Sequence, residues 1–149
     1  MTKAVVVDTS VLIRYRFREP SWENTRPLVD AIQRRQTIAY APPHLLLEFF
    51  HAAHRKTQPL ADRKRALKRH FDWLMSLPID YIDVDYLAEA RSLRLFVGAG
   101  AGSYDALYVY LAKHRRIPLC TCDVGIVRLS SSGGLRLKIS DLDTTAYTP

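Results

Sequence analysis

Long apolar runs are missing from this chain of 149 residues: no stretch approaches the ~18 to 20 apolar positions of a membrane-spanning helix, so no membrane partner is expected. The N-terminus offers one lysine and then Val5 to Val7, too short an apolar block for a secretory leader, and the cytoplasm is the expected compartment. Cysteine is nearly absent. Cys120 and Cys122, in a CTC spacing without further cysteines or a matched histidine pair, make a poor zinc site. They read as a redox pair or, more simply, as small buried apolar residues. Repeats, low-complexity tracts and linkers are also lacking, so residues 1–149 read as a single domain. Acid is in deficit, with 15 Asp and Glu against 22 Lys and Arg and a net charge of +7. That balance points to an anionic polymer as partner, the plainer alternative being a solvated basic surface.

The remaining pattern alternates strands with helices. Ala4 to Val7, Thr37 to Ala41, Ile79 to Val84, Pro118 to Cys122 and Leu135 to Ile139 read as strands. Ser10 to Arg18, Trp22 to Arg35, Leu45 to Lys56, Leu60 to Leu77, Tyr86 to Phe96, Tyr104 to Arg116 and Val124 to Leu129 read as helices. Pro42 and Pro43 suit a helix start, Pro78 a stop, and Ser103 an N-cap after the glycines Gly98, Gly100 and Gly102. Such interleaving predicts an α/β fold with a parallel sheet covered on both faces.

In this basic protein the most apolar segments carry acids. Asp8 follows the strand AVVV directly, and Asp123 follows PLCTC in the same way. Sites in open parallel sheets lie beyond the carboxyl ends of the strands. Glu48 sits among Leu45, Leu46, Leu47, Phe49 and Phe50, on a helix that reads as apolar nearly all round and internal. A glutamate there must be paired, protonated or metal-bound. Asp105 opens its helix, where the macrodipole favours negative charge. Each acid also has a local account: Asp8 and Asp123 as helix caps, Asp105 as a dipole-favoured acid, Glu48 paired with a core arginine or His51. Taken together, four such acids repel one another unless a divalent cation sits among them, and Mg²⁺ or Mn²⁺ takes carboxylate oxygen.

The segments VVVDTSVLI, LLLEFFHAAHR and GSYDALYVYLAKHRRIPLCTCD, in that order, resemble the PIN-domain nucleases, and among them the VapC-type toxins of toxin–antitoxin modules. The likeness runs over essentially the whole chain. It implies that Asp8, Glu48, Asp105 and Asp123 are the four catalytic and metal-binding acids, and that Thr121 is the frequent hydroxyl beside the last. It further implies a three-layer α/β/α sandwich with a central, mainly parallel sheet, dependence on Mg²⁺ or Mn²⁺, and cleavage of RNA. A cognate antitoxin protein and a homodimer are the partners it suggests. Three departures stand out: His51 where many relatives carry asparagine, Gly125 where some carry a further acid, and the glycine-rich VGAGAGS before Asp105.

On this reading the acids face the phosphate only through the cations they hold, and the reaction is in-line hydrolysis of a phosphodiester. Thr9, Ser10 and Thr121 supply hydrogen bonds that hold the acids. Arg14, Arg16 and Arg18, the run Arg63 to Arg69, and Lys113 to Arg116 either track a phosphate backbone or form solvated faces. Trp22 and Tyr15 are candidates to stack on bases, whereas Tyr104 and Tyr108 read as core. The five histidines read as satisfied core or surface residues. The rival readings are a housekeeping RNA-processing nuclease, a non-catalytic RNA-binding module and an aspartate-based phosphatase. The phosphatase signature wants a second acid two residues after the first, where Ser10 stands.

Overall fold

Val5, Val6 and Val7 have no face toward water: none exceeds 1% exposure, so their strand runs through the middle of a sheet covered on both sides. The structure, a computed structural model, describes residues 3–57, 62–85, 90–91, 94, 102, 104–131, 139–142 and 147–148. In chain order the elements are β1 (Lys3–Val7), α1 (Thr9–Arg16), α2 (Arg26–Gln33), β2 (Thr37–Ala41), α3 (Leu45–Lys56), α4 (Arg63–Ser76) and β3 (Ile79–Tyr81). There follow α5 (Asp105–Arg115), β4 (Leu119–Thr121), α6 (Val124–Ser131) and β5 (Ile139–Asp141).

The five strands form one sheet in the order β3-β2-β1-β4-β5, and every pairing is parallel. With helices on both faces this is the expected three-layer α/β/α sandwich. From β1 the chain winds outward through β2 to β3, then returns to place β4 on the other side of β1. The strand order therefore reverses between β1 and β4, the place where such sheets open a crevice. Val6 pairs with Leu119 and Val7 with Cys120, so the two strands end level with each other. Phe49, Leu12, Leu45, Leu74 and Tyr108 are fully buried in the core.

Differences from the sequence reading have local causes. The expected helix over Trp22 to Arg35 is divided into a 3₁₀ turn at Trp22–Asn24 and α2, which starts afresh with Pro27 in its first turn. Proline lacks the N–H that an interior helical position needs, so an unbroken helix through Pro27 is disfavoured. The first helix ends at Arg16, two residues early, and Arg18 takes a positive φ of 52°. Of the last strand, read over Leu135 to Ile139, only Ile139 is among the described residues; from there β5 runs on to Asp141, with Leu119 paired to Ile139 and Thr121 to Asp141. Of the helix read over Tyr86 to Phe96, Ala90, Arg91 and Arg94 are described and are helical; its other residues lie outside the described residues, as do Ser103, Gly98 and Gly100.

The helix α3 is not internal. It packs on α1 and α4, which leaves Leu47 73% and Phe50 45% exposed. Apolar sequence all round a helix does not bury it when only one side finds neighbours. Among the described residues, no helix is long and apolar enough to cross a membrane.

Candidate active site

Asp8 occupies the N-cap position of α1 with extended backbone (φ −84°, ψ 149°), yet its side chain makes no capping bond. The β1–β4 ladder explains where it goes. Asp8 N–H donates to the Cys120 carbonyl at 3.0 Å, which brings the residue level with Thr121. Thr121 Oγ1 donates to Asp8 Oδ2 at 2.8 Å, and Ser10 Oγ donates to the same oxygen. Ser10 is fixed in turn by accepting the Cys122 N–H at 2.9 Å. Asp8 is 4% exposed. Burial pushes its pKa from 3.8 up to about 7 against the pull of those two hydroxyls, and the charges of Glu48 and Asp105 push the same way.

Glu48 is held across three helices. Thr9 Oγ1 from α1 and the Tyr108 hydroxyl from α5 each donate to Glu48 Oε2 at 2.6 Å. Among the described residues, neither a core arginine nor His51 is its partner. Tyr108, read as core from the sequence, is fully buried but carries its hydroxyl to the acid. Burial, followed by the charges of Asp8 and Glu48, raises its pKa well above 10, so it stays a donor. Three residues after Asp105 it shares a helix face with that acid, a spacing that a core tyrosine fits equally well. On the other side of Glu48 stands His44, 8% exposed, with Nε2 at 3.8 Å from Oε2. The sequence reading of a satisfied histidine fails here: among the described residues, neither ring nitrogen meets a hydrogen-bond partner. Burial lowers the His44 pKa, outweighing Glu48 and the Tyr104 backbone, which favour the charged form. Tyr104 is also not core; it is 62% exposed and lies against the His44 ring at 5.4 Å.

Asp105, in the first turn of α5, accepts the Gly102 N–H at 3.3 Å. Burial raises its pKa, with the charge of Asp123 next and Glu48 adding to it. Asp123 does cap its helix: Oδ1 accepts from Gly125 N–H at 2.7 Å and Ile126 N–H at 3.1 Å. Thr121 Oγ1 accepts the Asp123 N–H at 2.9 Å, linking the last acid to the first through one hydroxyl. A Cβ on Gly125 would fall 2.9 Å from Asp123 Oδ1, so a further side chain here and the cap compete for the same space. Gly125→Ala is therefore expected to bring no net stability, although alanine ordinarily gains about 1 kcal/mol over glycine inside a helix. Thermal denaturation checks this, and a clear gain in melting temperature would show that Asp123 moves aside freely.

Asp8 thus interacts with Glu48 and Asp105, and Asp105 with Glu48 and Asp123. Among the described residues, no three or more His, Cys, Asp or Glu side chains stand close enough to grip a metal as placed. The donor set nevertheless fits a hard divalent cation. The bonds described fall on one oxygen of each carboxylate, Oδ2 of Asp8, Oε2 of Glu48, Oδ2 of Asp105 and Oδ1 of Asp123. Carboxylate oxygens that repel one another at the mouth of a sheet suit Mg²⁺ or Mn²⁺. Away from the acids, Tyr15 stacks on Trp73 at 5.8 Å and meets Trp22 edge-on at 6.1 Å, so the aromatic candidates for base stacking pack on one another. Arg18 lies over the Trp22 ring at 3.6 Å, and Arg16 donates to His70 at 3.0 Å. Cys120 and Cys122 are both buried.

A family model described as PIN domain matches residues 5–131. No curated protein matches the chain in sequence. Among solved structures, the chain is similar to PAE2754 from Pyrobaculum aerophilum at 23% identity and a TM-score of 0.64, over 97% of this chain and 87% of that one. It is similar to a chain of VapBC2 from Rickettsia felis, solved bound to a DNA fragment from their promoter, at 15% identity and TM-score 0.62, covering 93% of this chain and 98% of that one. A chain of FitAB bound to the IR36 DNA fragment gives 16% identity and TM-score 0.65, over 97% and 99% of the two chains. At these identities the likeness is one of fold.

Proposed function

This chain belongs to the PIN domain family, and on that premise we propose that it is a Mg²⁺- or Mn²⁺-dependent endoribonuclease, the toxin of a type II toxin–antitoxin module. What supports the reading is that Asp8 and Asp123 follow β1 and β4, where the strand order reverses, with Glu48 and Asp105 near enough for their charges to act on Asp8. When bound, the cation lowers the pKa of a water and stabilises charge developing on the scissile phosphoryl group. Asp8, Asp105 and Asp123 are the residues that would hold it, and Glu48, gripped by Thr9 and Tyr108, would orient the nucleophilic water. Ser10 and Thr121 fix Asp8, and Thr121 ties it to Asp123. RNA is the substrate, with basic side chains such as those of α4 following its phosphates. A cognate antitoxin protein and a second copy of the chain are the protein partners, in the cytoplasm; the fold shared with chains of VapBC2 and FitAB supports the antitoxin alone.

The phosphatase alternative is disfavoured by Ser10, whose hydroxyl is committed to Asp8 and to the Cys122 N–H. Induced expression is expected to arrest growth, with Asp105→Asn restoring it. Purified wild-type protein is expected to cleave RNA with Mn²⁺ and to stop on chelation. Active enzyme expressed at high level without harm would overturn the toxin assignment in favour of RNA processing. RNA binding without cleavage in any divalent metal would overturn the enzyme itself.

A further inference from the structure

The inference concerns His44 and rests on the metal-dependent reading above. A buried imidazole normally finds a partner for at least one ring nitrogen, and among the described residues His44 finds none at hydrogen-bonding geometry. It is not free to look elsewhere. Tyr108 meets its ring edge-on at 4.9 Å, and Tyr104 lies against it at 5.4 Å. The Tyr104 backbone is near enough to favour the charged ring. Held between these rings one helical turn before Glu48, the imidazole presents Nε2 at 3.8 Å from Oε2, a gap too wide for a hydrogen bond and narrow enough to close by a small rotation of either side chain. Oε2 itself already accepts from Thr9 and Tyr108. The carboxylate is thus surrounded by hydroxyls from α1 and α5 and by an imidazole from the start of its own helix.

We propose that His44 is a positioning residue for Glu48: its ring N–H takes hold of the Glu48 carboxylate when that carboxylate turns to serve a divalent cation. An unsatisfied buried imidazole weakens the metal-free fold, and a nearby acid that must be aimed gives it a partner in the loaded state. Groups that orient metal-binding side chains in this way typically alter affinity or activity by ten- to a hundredfold.

The test compares His44→Leu, which keeps bulk and removes both nitrogens, with His44→Gln, which retains an N–H donor. Full-length proteins are titrated with MnCl₂ and with MgCl₂ by calorimetry, melted without metal, and assayed on RNA for kcat and KM. The expected result for His44→Leu is a melting temperature without metal at or above wild type. Both metals are expected to bind about tenfold more weakly, and kcat to fall about tenfold at saturating metal with KM unchanged. Most of this loss is expected to be recovered in His44→Gln. Unchanged metal affinity and kcat in His44→Leu would overturn the proposal, as would a loss confined to Mn²⁺, which would make the imidazole a nitrogen ligand instead. A lowered melting temperature without metal, together with unchanged affinity, would assign His44 a purely packing role. Failure of the wild type to bind either metal would overturn the metal-dependent reading itself, which keeps the two failures apart.

Discussion

Asp8→Asn is expected to lower metal-dependent RNA cleavage by at least about a thousandfold, some 4 kcal/mol of barrier, while making the metal-free protein more stable at pH 8. The two effects share a cause. Burial raises the Asp8 pKa to about 7 from 3.8, so keeping it ionised at pH 8 costs the fold on the order of 4 kcal/mol. Asparagine removes the charge and keeps an oxygen for the Ser10 and Thr121 hydroxyls, while its amide N–H groups need acceptors of their own. A net gain of roughly 2 kcal/mol is therefore expected. The sign in pH follows from proton binding. Between 3.8 and about 7 the folded chain holds the Asp8 proton more tightly than the unfolded chain does. Its favourable contribution is thus complete below the lower value and lost as pH rises through about 7. Chemical denaturation at pH 5 and pH 8 in EDTA checks this: the stabilisation by Asp8→Asn should be clear at pH 8 and shrink at pH 5. An unfolded variant at pH 8 would mean that Asp8 serves structure first.

Millimolar Mn²⁺ is expected to raise the wild-type melting temperature, and much less so in Asp8→Asn or Asp105→Asn. At a hundredfold excess over its dissociation constant, a ligand that binds only the folded state adds about 2.7 kcal/mol. For a domain of this length that corresponds to roughly 5–10 °C. The coupled carboxylates make the effect larger than a surface site would give, because the cation relieves repulsion already present among Asp8, Glu48, Asp105 and Asp123. Ca²⁺ serves as a second probe, separating binding from chemistry. A wild-type melting curve indifferent to all three of Mg²⁺, Mn²⁺ and Ca²⁺ would remove the cation from the proposal.

What was legible in the sequence was whatever a local pattern determines. Thr37–Ala41 and Leu45–Lys56 coincide with the ranges read from β-propensity and from the proline-marked helix start. Asp8 and Asp123 stood out because each ends a buried strand, and the level β1–β4 register then puts Thr121 between them. The sequence could not say that Asp123 caps its helix whereas Asp8 does not, since that depends on a hydroxyl reaching in from the neighbouring strand. Tyr108 and His44 were missed for the same reason. Nothing in their local spacing distinguishes a tyrosine that merely fills the core from one whose hydroxyl meets Glu48, and a histidine's orphaned nitrogens show only against α5. The exposure of Leu47 and Phe50 was hidden by composition, because an apolar segment does not reveal which of its sides the fold covers.

The hydroxyl of Thr121 touches both Asp8 and the backbone of Asp123, so the first acid is wired to a residue translated more than a hundred positions later. A nascent chain still lacking β4 has neither the strand that levels Asp8 nor the hydroxyl that steadies it. Premature termination or proteolysis before that point should therefore leave an inert fragment rather than an enfeebled enzyme. Synthesis itself would then withhold any harmful activity until β4 has been made.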